Sequence, residues 1–307
     1  MNARADRAVR ILTGTAIVAL LLVVASLVFI WWIGAWGIAF PSDHHDTRAP
    51  ELPAAFGDGA SLRVLVYSKT NAFRHKEGIP AAHALFDRLA AEHGWAVYHS
   101  ENGALFDAEH LARFDVVVFA NATGNTTSDA QDRAFETWIE SGGGWVGLHA
   151  AGDGSHADWR WYQDAFIGGE FAQHILGPQF QEARVVVEDR AHPVTQGLPS
   201  EFRHVEEWYS WKTSARQHGF HVLLTVDEST YEPFIRFGGS ETDIRMGDHP
   251  IAWSRCVGAG RAVYSAMGHR AEAYEDATIA RLIANAVEWV GHPGENGCEA
   301  GATPERS

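Results

Sequence analysis

The sequence predicts an α/β domain on a mostly parallel, doubly wound sheet, preceded by one N-terminal transmembrane helix. Three observations carry this reading. From Ile11 to Phe40 the chain has no charged residue. From residue 62 to residue 148, apolar runs of strand length alternate with stretches at helical spacing, the order that gives parallel βαβ units. At 142–153 the chain reads GGGWVGLHAAGD: a glycine run, a short apolar segment, then a small-residue turn beginning at His149. That is the pattern of a buried strand ending in a tight turn that presents the side chain at its tip.

The N-terminal run comes first. At 1.5 Å per residue, about 20 apolar residues span a hydrocarbon core of about 30 Å. Arg4, Arg7 and Arg10 precede the run, whereas Asp43, Asp46 and Glu51 follow it with Arg48 as the nearby cation. The positive-inside rule therefore places residues 1–10 in the cytoplasm, 11–40 in the membrane and the main domain in the periplasm or outside the cell. Trp31, Trp32 and Trp36 suit an aromatic belt at the outer interface. A helix apolar on every side does not suit the surface of a soluble domain. A cleaved signal is the rival reading, but signal h-regions run about 7–15 residues, and this run is longer. We read an uncleaved single-pass anchor.

Residues 41–60 are rich in Pro, Gly, Ala and charge and read as a linker. Residues 61–292 form one α/β domain, and 293–307 a flexible tail. Within the domain, 62–67 (LRVLVY) is a strand and 79–93 a helix with Ile79, Ala82, Leu85, Phe86 and Leu89 on one face. A short strand follows at 95–98 and a short helix at 107–113. Residues 115–120 (DVVVFA) are nearly all apolar, as expected of a strand covered on both faces. Ser128 and Gln131 have capping-box spacing and open a helix to about residue 140, and 144–148 is the next strand. The middle reads differently. Residues 159–166 are helical, while 184–187, 222–226 and 251–253 are strands between loops, forming an added sheet or an edge extension. Residues 261–267 return as a strand and 277–290 close the domain as a helix.

Net charge is −15, from 24 basic and 39 acidic residues, which argues against a nucleic-acid partner because such binding needs a positive footprint. Cys256 and Cys298 are the two cysteines. They can pair in an oxidising exterior, and neither sits where a nucleophile would.

In an open parallel sheet, ligands bind beyond the carboxyl ends of the strands. That rule selects four loops. The first, 68–77, holds Asn71, Phe73, Arg74 and His75. The second holds Asn121, Thr123 and Asn125. The third holds His149 and Asp153, and the fourth Gly268, His269 and Arg270. Three of the four carry a histidine close to the strand end, with His174 able to join if 168–177 folds over the rim. Two chemistries follow. Neutral imidazoles with a carboxylate can bind a divalent metal such as zinc, with His75, His149 and His269 as candidate ligands, although no compact ligand motif is present. Alternatively, a histidine works as general acid or base, oriented by Asp153, Glu170 or Glu207. Turn N–H groups at 152–155 could then stabilise a developing negative charge. The segments 159–162 (WRWY) and 206–211 (EEWYSW) set aromatics beside carboxylates, a composition that suits a sugar and equally a packed core. Gly258 and Gly260 lack the strand–helix setting of a dinucleotide site and mark a turn.

Several of these pieces together resemble the trehalose-utilisation (ThuA-like) family of the class I glutamine amidotransferase-like fold. They are Phe73-Arg74-His75, the 142–153 segment, Gly168-Gly169-x-Phe171-x-x-His174, His192-Pro193 with Gly197-Leu198-Pro199, EEWY at 206–209, 250–253, and GAGRAVYSAMGH at 258–269. The resemblance implies a flavodoxin-like three-layer α/β/α sandwich without the amidotransferase cysteine. It also implies action on a trehalose-like disaccharide or a keto-sugar derivative. The family's recurrent polar residues fall on His75, His149, Asp153, His174, Glu207, Tyr209 and His269, and its usual Asp-Glu pair is Glu206-Glu207 here. The site expected is thus His149, His75, His269 and Asp153 for chemistry, with Arg74, Asn121, His174, Glu207, Tyr209 and Trp159 binding a carbohydrate. The alternative is a non-catalytic sugar- or partner-binding module at the membrane. Glutamine amidotransfer is disfavoured, because no cysteine stands at a strand-to-helix elbow.

Overall fold

The runs without a polar alternation become the middle of a nine-stranded sheet. In the computed structural model, which describes residues 3–293, the elements follow in order. Helix α1 (Ala3–Trp32) and the one-turn α2 (Trp36–Ala39) precede the domain. Then come β1 (Arg63–Tyr67), α3 (Gly78–His93), β2 (Ala96–Ser100), α4 (Ala108–Leu111), β3 (Val116–Ala120), α5 (Asp129–Glu140) and β4 (Gly144–Leu148). The second half comprises α6 (Arg160–Tyr162), β5 (Phe171–His174), β6 (Gln181–Val187), β7 (Glu201–Glu206), β8 (Tyr209–Trp211), β9 (His221–Val226), β10 (Phe234–Phe237), β11 (Ser240–Asp243), β12 (Pro250–Val257), β13 (Gly260–Ser265), α7 (Ala271–Glu275) and α8 (Ala277–Gly291). Every residue of β3 and β4 is buried. Ser128 caps α5, its N–H donating to Gln131 Oε1 at 2.8 Å.

The sheet order is β2-β1-β3-β4-β13-β12-β9-β6-β7. The five strands from β2 to β13 are parallel, and each later strand is antiparallel to its neighbour. The expected mostly parallel sheet is therefore corrected to a mixed one. The reason is connectivity. Helical crossovers run between the early strands, but β12 turns directly into β13 at Gly258, where Val257 pairs with Gly260, and a short turn can join only antiparallel strands. The strands expected at 184–187, 222–226 and 251–253 extend the main sheet. The helix expected at 159–166 is α6 followed by a single π turn at Gln163–Ile167.

Successive side chains along a strand face opposite ways, and β4 shows what lies on each side. A Cβ added to Gly144 would stand 2.6 Å from the Val290 carbonyl oxygen of α8. The next residue, Trp145, points the other way and stacks on Phe166 with centroids 4.1 Å apart and planes at 9°. Helices thus cover both faces. Helix α8 packs with α7, and α7 with α3, while the 159–167 segment and Phe135 of α5 lie opposite.

Among the described residues, one helix is long and apolar enough to cross a membrane, over Arg10–Trp32, and none of it is buried. Residues 41–60, expected as a linker, lie along the domain: Asp46 pairs with Lys69 at 2.6 Å and accepts the Gly103 N–H at 2.9 Å. The expected tail beyond Pro293, and Cys298 with it, lies outside the described residues.

A buried histidine in this core makes stability depend on pH. His156 lies beneath Phe119 and Tyr162 and donates from Nε2 to the Ala122 carbonyl at 3.0 Å. Burial pushes its pKa from 6.5 down to about 4, only partly opposed by the carbonyls of Ala122 and Gly124. The unfolded chain therefore binds this proton near pH 6.5 and the folded chain only near pH 4. The stabilisation is complete above 6.5 and is lost as pH falls toward 4, about 3 kcal/mol in all. His156→Gln, which keeps an N–H donor and does not titrate, is expected to flatten that part of the profile. Urea unfolding at pH 7 and pH 4.5 reads the difference, and equal slopes for the two proteins would refute it.

Candidate active site

Three parallel strands end side by side, and their ends interlock. Ala120 pairs with Leu148, and Leu148 with Ser265. The residues next after β3 and β4, Asn121 and His149, both turn left-handed, with φ of 57° and 47°. Among the described residues they are the only non-glycine positions with positive φ, a conformation L-residues adopt only when their surroundings enforce it. Here hydrogen bonds do so. Asn121 Nδ2 donates to the Gly268 carbonyl at 3.1 Å and to the Tyr274 hydroxyl at 2.9 Å. His149 Nδ1 donates to the Ala266 carbonyl at 2.8 Å, and Tyr264 donates to the His149 carbonyl at 2.7 Å. The small residues of the turn are required: a Cβ on Gly152 would lie 2.4 Å from the Tyr264 hydroxyl.

This framework gathers three imidazoles and a carboxylate. The rings of His75, His149 and His269 form a triangle with centroids 4.6–5.0 Å apart. Together with Glu207 they offer ligand atoms that all lie within 4.8 Å of one another. His149 Nε2 is 3.1 Å from His269 Nδ1, 3.5 Å from Glu207 Oε2 and 2.8 Å from the Tyr209 hydroxyl. His269 Nδ1 is 3.0 Å from Glu207 Oε2, and His174 Nδ1 is 3.2 Å from the other carboxylate oxygen. The neighbouring Glu206 faces away from this cluster and supports it, accepting the N–H groups of Gly268 at 2.7 Å and Glu207 at 2.9 Å.

The charges follow from burial and proximity. Burial alone would raise the Glu207 carboxyl, but hydrogen bonds from His149 and His269, and their charge, hold it far below the usual carboxylate range. Burial would lower His149, yet Glu207 and Glu206 outweigh it and hold its pKa above the ordinary value. Nδ1 of His149 is committed as a donor, so the proton it gains or loses is on Nε2, facing the cluster. His75 is driven well down by burial and by repulsion from His149 and His269, and stays neutral. Burial raises Asp153 to about 6, against two hydrogen bonds from Ser155 that lower it. Tyr209 keeps its proton, because burial and the carboxylates of Glu207 and Asp153 push it up.

Above the cluster is a cavity of about 410 Å³. His75, Asp153, His174, Gln179, Glu207, Tyr209 and His269 form its polar part; Ile38, Ala72, Phe73 and Phe171 form an apolar wall. His149 lies under this floor, fully buried. The structure thus brings together His75, His149, His269, Asp153, His174, Glu207 and Tyr209. It does not bring in the other three expected residues. Arg74 turns outward to Glu101, at 2.6 and 3.0 Å. Asn121 braces the strand ends from behind. Trp159 donates to Glu136 at 2.9 Å and packs on Phe135, because WRWY folds under the far face of the sheet. Glu170 pairs with Lys212 at the surface. The sequence reading missed Gln179, which donates to Glu207, and Phe180, edge-on to His269 at 4.9 Å. Both lie in the loop that leads into the start of β6, not beyond a strand's carboxyl end, and neither carries a local signal.

Comparison with known proteins agrees with this architecture. The family ThuA, described as trehalose utilisation, matches residues 63–290. A ThuA-like protein from Bacteroides uniformis is 31% identical over 78% of this chain and 95% of its own, with a TM-score of 0.65. A ThuA-like protein from Parabacteroides merdae shares the fold at 16% identity, covering 79% of this chain and 94% of that one, with a TM-score of 0.55. A cytoplasmic protein from Salmonella typhimurium also shares it, at 12% identity over 75% and 99%, with a TM-score of 0.50. No curated protein matches.

Proposed function

This chain belongs to the ThuA trehalose-utilisation family, and from that premise we propose that it is an enzyme acting on a carbohydrate, a trehalose-like disaccharide or its keto derivative. His75, His149, His269 and Glu207 would hold a divalent metal such as zinc. One observation carries the reading: four ligand atoms of the right chemistry converge within 4.8 Å beneath a cavity.

The donor set fits a metal on several counts. Separations of 3.0, 3.1 and 3.5 Å among His149, His269 and Glu207 lie near the ~3.3 Å edge of a tetrahedron with bonds of about 2.0–2.1 Å. His149 Nδ1 donates to a backbone carbonyl, the usual device that leaves the other ring nitrogen free to ligate. Nδ1 of His75 is buried with no hydrogen-bond partner. A bound metal would polarise a carbonyl or hydroxyl oxygen of the substrate. The chain's own groups do the rest. Asp153, titrating near 6, can exchange a proton with a substrate carbon or oxygen close to neutral pH. The Tyr209 hydroxyl, kept protonated, donates to a substrate oxygen. Phe73 and Phe171 offer ring faces to a sugar. His174 and Gln179 hold Glu207 in place. We also propose that Arg10–Trp32 is an uncleaved anchor, with the N-terminus in the cytoplasm and the domain outside; its length and apolar surface support a membrane span, and Arg4, Arg7 and Arg10 before it support the orientation.

Purified protein is expected to carry close to one equivalent of divalent metal by elemental analysis. It should convert trehalose or its keto derivative to a product seen by mass spectrometry, and lose that conversion on chelation. Affinity for the sugar without any product would favour a binding module instead. Failure to take up zinc, manganese or iron would rule out the metal.

A further inference from the structure

The cavity over the histidines opens beside the end of the apolar helix. After Trp32 the chain folds back onto the loop that follows β1. The Arg74 N–H donates to the Gly34 carbonyl at 2.9 Å. A Cβ added at Gly34 or Gly37 would stand 2.2 or 2.3 Å from the carbonyl oxygens of Arg74 and Ala72, so backbone lies directly on backbone. The Lys76 ammonium sits 3.7 Å from the centre of the Trp31 ring. This contact carries Ile38, only six residues after Trp32, to the cavity, where it forms the apolar wall with Ala72, Phe73 and Phe171. Ile38 is 60% exposed. Trp36 and Phe40 line the adjoining groove.

The cavity is therefore two-ended. Its floor is imidazole and carboxylate, and its outer wall is apolar and continuous with residues at the end of a membrane-length helix. Phe73 and Phe171 suit the C–H face of a sugar ring, but Ile38 and Ala72 on the same wall offer no partner to the hydroxyls of a free disaccharide. We propose that the substrate is a membrane-resident amphiphile, with a sugar head on the histidine floor and an apolar tail passing over Ile38, Phe73 and Phe171 toward the bilayer. This rests on the carbohydrate reading and on the helix remaining as an anchor.

The test uses the full chain in lipid nanodiscs, its intact mass checked, with radiolabelled glucose, hexyl, heptyl and octyl β-glucosides and 1-octanol. Equilibrium dialysis measures binding, with empty nanodiscs subtracted. Each added methylene is expected to tighten glucoside binding about threefold to fourfold, and Ile38→Ser to shrink that gain per methylene. Equal affinity for glucose and all three glucosides overturns the proposal and leaves the carbohydrate reading standing. So does an undiminished gain in Ile38→Ser, or a mature chain that begins after Ile38. No binding of any sugar, or octanol binding as tightly as octyl glucoside, overturns both.

Discussion

Glu207→Gln is expected to remove most of the response to divalent metal while leaving the domain folded. The amide keeps the shape of the side chain but removes the negative charge that His149, His174 and His269 all face. Loss of a supporting group around a metal typically reduces affinity 10–100-fold, so loss of a ligand should exceed about 100-fold. In the wild-type protein, metal at about 1,000 times its Kd adds about 4 kcal/mol of stability, which calorimetry registers as a rise in Tm. At the same metal concentration a 100-fold weaker site keeps about 1.4 kcal/mol, so the variant should lose at least about two thirds of that rise. Its other hydrogen bonds remain available, because Gln179 and His174 can still donate to the amide oxygen. Glu170→Gln, at the surface pair with Lys212, should keep the full response. An unchanged rise in Glu207→Gln would show that the metal binds elsewhere.

The second large effect concerns the fold beneath the site. Trp145→Ala is expected to destabilise the domain by about 3–5 kcal/mol, a large part of the roughly 5–15 kcal/mol that holds a typical domain. The indole is fully buried and stacks on Phe166, with Phe119 and Tyr162 edge-on to it. It joins β4, whose end carries His149, to the 159–167 segment. A Cβ on Gly147 would stand 2.2 Å from the indole, so glycine there makes the space the ring occupies. Gly147→Ala should therefore destabilise the wild type and have much less effect in the Trp145→Ala background, a clear departure from additivity. Guanidinium unfolding of the four proteins measures both. A loss below about 1 kcal/mol for Trp145→Ala would mean that other contacts hold this segment.

Much of the site was legible because the strand-end rule needs little more than strand positions. His75, His149 and His269 fall just beyond apolar runs, and parallel pairing of those runs brings them together. The same rule selected Arg74 and Asn121 without indicating where their side chains point. Arg74 finds Glu101, an acidic partner from another loop, and Asn121 turns inward because its left-handed backbone directs the amide to Gly268 and Tyr274. Trp159 misled for a different reason. Aromatics beside carboxylates suit a sugar and a core equally, and only packing against Phe135 decides. The antiparallel half of the sheet reads only as strands between loops, an added sheet or an edge extension, since strand pairing across long loops leaves no mark in local periodicity. Ile38 was hidden by its own run: within thirty uncharged residues nothing separates the residue that reaches the cavity from those that do not.

The two left-handed residues have a further meaning. Asn121 and His149 stand opposite each other at the ends of paired strands, and a left-handed L-residue sits roughly 1–2 kcal/mol above its relaxed conformation. The sheet therefore carries local strain at one place, where two neighbouring strands end in residues wound against their natural hand and held there by Ala266, Gly268, Tyr264 and Tyr274. Local disorder released there would run first into the floor of the cavity. The positions of the imidazoles are thus tied to the integrity of the whole sheet: they keep their places only while the core behind them is intact, and a partly unfolded chain would have no residual site.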